Sequence, residues 1–359
     1  MRIYLIKFIA ILVLLTSCGQ LNRGKSTHQS LTKKERDEQA LNEFVDSPKE
    51  VKPKIVQPFK NKAKVSKFCK KTALFFKKYR WKKSNCEKTH WKNVRNSNSG
   101  DPLIWTVFGD ESKVGERGVE STLIFCGVHG DEITPIKFCF DIIQHLTKEV
   151  AENPGILKGK LVAIAPIVNP DSFMKKRPTR TNKNSVDINR NFPTKDWNKD
   201  ALKLWKSRYR RDKRRYPGKK SLSEPEVVFQ VNLIKRYKPR KIISVHAPLT
   251  MLDYDGPIDH HTGGIVGTRA NQLLIQMSKK ARGYRIKNYP FFPGSLGNYA
   301  GNERNIPTYT LELPTSNPRK SDKYWTLFRP AIHSAIMHDM RKEIDVAVKP
   351  ASSKATTAN

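Results

Sequence analysis

The sequence predicts an α/β domain, a sheet flanked by helices, and three observations carry that reading. Short apolar, β-branched-rich runs at 122–126, 161–165 and Lys241–His246 have the length and composition of buried strands. Helical patterns with one apolar face lie between them, and strand–helix alternation of this kind builds a layered sheet rather than a bundle or a sandwich. Of the 359 residues, the stretch from 91 to 345 is long enough to enclose one large core.

Taken in order, residues 1–18 read as a lipoprotein signal peptide. A basic start, Met1-Arg-Ile-Tyr-Leu-Ile-Lys7, precedes an apolar run at 8–15 too short to span a bilayer. Leu15-Thr-Ser-Cys18 resembles a lipobox, which makes Cys18 the lipidation site. Gly19-Gln20 lacks the aspartate of inner-membrane retention, so the expected location is the periplasm, anchored to the outer membrane. Residues 19–60 are polar and charged with few large apolar side chains, and read as a disordered tether. The segment 61–90 is basic and able to form a helix with one apolar face. That helix either packs on the following domain or adheres to an anionic wall or membrane surface.

The domain spans 91–345, with strands at 104–108, 122–126, 161–165, Lys241–His246 and around Glu312. Thr134-Pro135 reads as an N-cap followed by proline at the first helical position, opening a helix to about 148. Ser223-Glu-Pro-Glu226 reads as a capping box for a helix that ends near Lys238-Pro239. Helices are also expected at 269–280 and 321–342, and residues 346–359 read as a disordered tail.

Chemistry concentrates where apolar runs stop. Phe125-Cys-Gly-Val-His-Gly-Asp-Glu-Ile133 ends a strand in a loop bearing His129 and Glu132, and Lys241–His246 ends in a histidine. Two imidazoles and a carboxylate at the carboxyl ends of strands suit one zinc ion with a position open to water. Between and after these stretches lie Ser185-Val-Asp-Ile-Asn-Arg-Asn-Phe-Pro193 and Thr308-Tyr-Thr-Leu-Glu-Leu-Pro314. In this order the motifs resemble those of the zinc metallocarboxypeptidases. Val128-His-Gly-Asp-Glu132, His246-Ala-Pro-Leu249, Pro293-Gly-Ser-Leu-Gly297 and Leu311-Glu-Leu-Pro314 are more similar to the murein tripeptide amidase branch, over roughly 91–340.

The resemblance implies a mixed, mainly parallel carboxypeptidase-like sheet, one Zn2+ on His129, Glu132 and His246, and Glu312 as general base. It implies Arg177 as oxyanion arginine, with Arg180 the alternative because the distance to Asn189 is short. Asn189 and Arg190 would hold the substrate's terminal carboxylate, since a guanidinium fork binds carboxylate through two parallel bonds. Tyr289 falls where digestive members carry a tyrosine over the substrate. Asp253 or Asp255 would take the distal ammonium of diaminopimelate, or else close the turn at Asp255-Gly256-Pro257. The implied activity is hydrolysis of the γ-D-glutamyl–meso-diaminopimelate bond of murein peptides. Its alternatives are another peptide specificity and a non-catalytic wall-binding lipoprotein.

A formal net charge of +35 raises the question of nucleic acid, but no nucleic-acid module is recognisable and the export signal points elsewhere. Peptidoglycan, murein peptides and, through the N-terminal lipid, a membrane are the expected partners of a monomer. The insertion 203–220 holds ten basic residues against Asp212 alone and reads as a solvated loop near the site. Of the five cysteines, Cys69 and Cys86 can pair in an oxidising compartment, whereas Cys126 and Cys139 read as small core residues.

Overall fold

The computed structural model describes residues 62–259, 264–265 and 268–340. Cys18, the signal segment, the tether and the tail lie outside the described residues.

Seven strands form the main sheet: β1 (Lys92–Asn96), β2 (Pro102–Phe108), β3 (Glu120–Phe125), β4 (Lys160–Ala165), β5 (Lys241–His246), β6 (Met251–Asp255) and β7 (Thr308–Glu312). A further two-stranded ribbon joins Ile258–Asp259 to Gly264–Ile265. The main sheet runs β1-β2-β4-β3-β5-β7-β6. The inner four, β4, β3, β5 and β7, are parallel, while β1, β2 and β6 join antiparallel. β3 and β5 are buried along their whole length, which is why they read as continuous apolar runs rather than alternating ones.

Helices α1 (Lys62–Lys78), α2 (Ile133–Glu152), α4 (Thr268–Lys280) and α5 (Ser321–Met337) contribute to one core, with Ile124, Ile164, Ile243 and Leu311 of the sheet. α3 (Pro225–Tyr237) and the segment around Leu296 and Tyr299 pack against Leu123, Phe125, Leu161 and Ile242 in the other. Odd and even strand residues thus go to opposite sides, the period of two that a pleated strand imposes.

The structure corrects several local expectations. α2 starts two residues early, with Glu132 in the N-cap position; Thr134 lies inside the first turn and donates its hydroxyl to the Thr315 carbonyl at 2.7 Å. α3 has Glu224 rather than Ser223 at its N-cap, because the Ser223 hydroxyl is turned to Glu224 Oε1 at 2.7 Å. α5 ends at Met337, short of 342. The basic helix α1 buries Phe68, Cys69, Thr72 and Phe76 in the core and leaves Lys62, Lys67, Lys70, Lys77 and Lys78 exposed.

Cys69 and Cys86 form a disulfide, which ties α1 to the turn before β1. Cys126 and Cys139 are also disulfide-bonded, contrary to their reading as free core residues. The chain leaves β3 at Cys126 and folds back through α2, bringing the two Cα atoms to 6.2 Å, within the reach of a disulfide. The closed loop contains His129 and Glu132.

Candidate active site

Parallel strands deliver their last residues to one edge, and here that edge carries the chemistry. β5 ends at His246 and β7 at Glu312, which stand opposite each other in the ladder, while the loop after neighbouring β3 supplies His129 and Glu132. On the same face, two and four residues back, Thr310 and Thr308 pair with Asp253 and Asp255 of β6. Ser244, His246, Asp253, Asp255, Thr308, Thr310 and Glu312 form the polar floor of one cleft.

His129, Glu132 and His246 are buried, and their donor atoms lie within 4.8 Å of one another. His129 Nδ1 is 2.7 Å from Glu132 Oε1, and His246 Nδ1 is 2.9 Å from Glu132 Oε2. The outer nitrogens are engaged as well: His129 Nε2 lies 3.0 Å from Asp187 Oδ1, and His246 Nε2 lies 2.9 Å from the Ser244 hydroxyl. Asp187 is fully buried, yet Arg180 and His129 outweigh the burial and hold its carboxyl well below the usual range. An ionised Asp187 accepts only, so Nε2 of His129 is an N–H donor, which leaves Nδ1, facing Glu132, as the nitrogen that would ligate a metal on losing its proton. Glu132 is likewise held low against its burial by His129 and His246. Two imidazoles oriented by outer partners, with a carboxylate kept anionic between them, fit zinc.

Glu312 lies across the ladder from His246 and accepts from the Leu249 N–H at 3.2 Å. Burial pushes its carboxyl up, and the negative charge of Glu132 adds to this against the opposing influence of His246. Arg180 lines the cleft, donating from Nε to Asp187 at 2.9 Å and from a terminal nitrogen to Glu132 at 3.3 Å. Arg177 is exposed and is not among the residues lining the cleft. The backbone decides between them: Thr179 is tied through its N–H to Ser172 and through its carbonyl to the Asp131 N–H, which brings in the residue that follows.

Asn189, Arg190, Asp253 and Tyr289 all reach the cleft wall. Asn189 Oδ1 accepts from the Leu296 N–H at 2.8 Å, which fixes the amide so that its NH2 remains to donate. The Arg190 guanidinium sits 4.3 Å from the centroid of Phe292, with Nε buried and without a hydrogen-bond partner among the described residues. Gly294 makes this packing possible: its φ is +76°, and a Cβ there would fall 2.1 Å from the Arg190 carbonyl. Gly297 matters equally, since a Cβ would overlap the Asp255 carboxylate. Asp253 Oδ1 accepts from the Tyr289 N–H at 2.8 Å. Burial raises the Asp253 carboxyl and pushes Asp255 up to about 7, with Asp253 adding to the latter.

Asp187 and Ser244 escaped the sequence reading, although Ser244 stands two residues before His246 on β5, the spacing that returns a strand side chain to the same face, and Asp187 caps the turn that carries Asn189 and Arg190. Phe292, the platform under Arg190, left no signal beyond its place before Pro293-Gly294.

The zinc carboxypeptidase family (Peptidase_M14) matches residues 80–333. Murein peptide amidase A of Vibrio campbellii is 31% identical over 217 residues, 60% of this chain and 75% of the relative. Its counterpart in Escherichia coli K12 is 31% identical over 228 residues, 63% and 82% of the two chains. The crystal structure of carboxypeptidase A from Helicoverpa armigera superposes with a TM-score of 0.56 at 17% identity, covering 72% of this chain and 70% of that one, a likeness of fold. With the match covering most of the chain, the protein belongs to the zinc carboxypeptidase family and is a hydrolase of peptides.

Proposed function

We propose that this enzyme releases diaminopimelate from murein peptides by hydrolysing the γ-D-glutamyl–meso-diaminopimelate bond. One observation carries the specificity: the cleft joins Arg190, whose buried Nε has no partner among the described residues, to a carboxylate on the floor, Asp253. Diaminopimelate bears a carboxylate beside the scissile bond and an ammonium farther along its side chain. An ordinary apolar C-terminal residue would leave the buried Asp253 carboxylate facing no cation, which is costly. The relatives named murein peptide amidase A support the same substrate.

His129, Glu132 and His246 are the residues that would hold zinc, which when bound supplies an activated water and polarises the scissile carbonyl. Glu312, raised by burial, takes the proton of that water and returns it to the leaving amine. Arg180 keeps donors beyond its bonds to Asp187 and Glu132 and stabilises the developing oxyanion. Asn189 and Arg190 grip the terminal carboxylate, and Tyr289 covers the bound residue. The proposed setting is the periplasm, with Cys18 lipidated and held at the outer membrane. Two disulfides in the folded domain support an oxidising compartment.

Digestion of purified muropeptides followed by mass spectrometry tests this reading. Free diaminopimelate should leave murein tripeptide, phenanthroline should stop the reaction and added zinc restore it. Glu312→Gln should lower turnover by at least ~10²-fold. Release of other C-terminal residues with diaminopimelate peptides left intact would overturn the specificity.

A further inference from the structure

Away from the cleft, the far half of α2 and the last turns of α5 meet at a second cluster of metal-ligating side chains. His145 and Glu149 stand one helical turn apart on α2, and His333 faces them from α5. His145 Nε2 is 3.2 Å and His333 Nδ1 3.3 Å from the same oxygen, Glu149 Oε1, and the three donor atoms lie within 4.8 Å of one another.

Both imidazoles converge from two different helices on one carboxylate oxygen, a set of three donors that a single tetrahedral cation can accept with a position left for water. The side chains are 23%, 20% and 36% exposed, which leaves an open side from which water can complete a coordination shell. Arg329 and Lys280 also line this cavity and repel a dication, making the site weaker than the one in the cleft.

We propose that His145, Glu149 and His333 form a second, structural site for a borderline divalent cation, zinc in particular, that staples α2 to α5. Glu132 occupies the N-cap of α2, so the staple fastens the helix on which the catalytic loop ends.

Untagged, metal-stripped protein should be titrated with zinc against a chromophoric chelator, with thermal unfolding followed in parallel. Wild type should take up two equivalents, the second more weakly, and the second should raise the unfolding midpoint. His145→Ala/His333→Ala should bind one equivalent, keep the peptidase activity of wild type and lose the second thermal gain. Glu149→Gln should weaken only the second equivalent. A single equivalent in wild type at saturating zinc, or a second one retained by the double variant, would overturn the proposal whatever substrate the cleft accepts.

Discussion

Arg190 shows how much of the site depends on one side chain's surroundings. Its terminal nitrogen donates to the Asn189 carbonyl at 2.7 Å and its flat face rests on Phe292, so the fork is fixed before any ligand arrives. Substrate bound in that state loses little further side-chain entropy. Arg190→Ala should cost roughly 2 to 5 kcal/mol in kcat/KM on murein tripeptide, and Arg190→Lys should recover only part, since lysine keeps charge but not the paired donors. Amidating the diaminopimelate carboxylate beside the scissile bond should harm wild type and leave Arg190→Ala nearly indifferent. Equal cleavage of both peptides by wild type would mean that Arg190 binds no carboxylate. Residues of this kind were legible in sequence when their motif was contiguous, as in Asn189-Arg190. Which of Arg177 and Arg180 reaches the cleft was not, because that depends on how Thr179 between them is tied down. Asp187 was invisible for a related reason: its value lies in touching His129, 58 residues earlier.

At the level of elements, strands buried on both faces announced themselves as apolar runs, and β3, β4 and β5 stand where those runs are. Edge strands did not. β1 is half exposed with no regular alternation, and β6 alternates Asp with apolar residues, so that Asp253 and Asp255 read as ligand or turn residues rather than as a strand. Helix starts were displaced by two residues and by one where a side chain found a better partner than the helix end, as with Thr134 and Ser223 respectively. Inside α3 the packing has a measurable consequence. Glu226 is fully buried; burial, with Asp171 and Glu224 adding, outweighs its bond from Asn182 and lifts the carboxyl from 4.5 to about 7. Oε1 has no partner among the described residues. Between those two values the folded chain keeps a proton that the unfolded chain loses, so stability falls as pH rises through the window. Glu226→Gln removes this titration. It should raise the unfolding midpoint at pH 8, by an amount equivalent to about 3 kcal/mol at most, and change little at pH 4. A variant less stable than wild type at pH 8 would mean that the carboxylate is ionised and held by groups the hydrogen-bonding pattern does not reveal.

The whole molecule carries a formal net charge of +35, and the insertion 203–220 brings part of it to the mouth of the cleft. Arg214 and Arg215 line the cleft itself, and Arg214 donates to Asp131 of the ligand loop at 2.7 Å, while Lys206, Lys213, Lys219 and Lys220 are exposed. Exposed charges act through a screened field that reaches about 10 Å at 0.1 M salt and about 3 Å at 1 M. A small peptide seated in the cleft is held mainly by contacts inside it, whereas an anionic wall polymer meets the exposed lysines over many sites at once. The two substrates should therefore respond differently to salt. Raising ionic strength across that range should increase the apparent KM for intact wall several-fold, while kcat on free tripeptide stays within about twofold. Replacing Lys206, Lys213, Lys219 and Lys220 together by Gln should weaken the salt dependence on wall and spare the tripeptide reaction. These positions make no contact with the cleft floor, so loss of tripeptide turnover in the variant would place the insertion inside the catalytic machinery. An unchanged salt dependence on intact wall would instead assign polymer capture to another basic surface, such as the exposed lysines of α1.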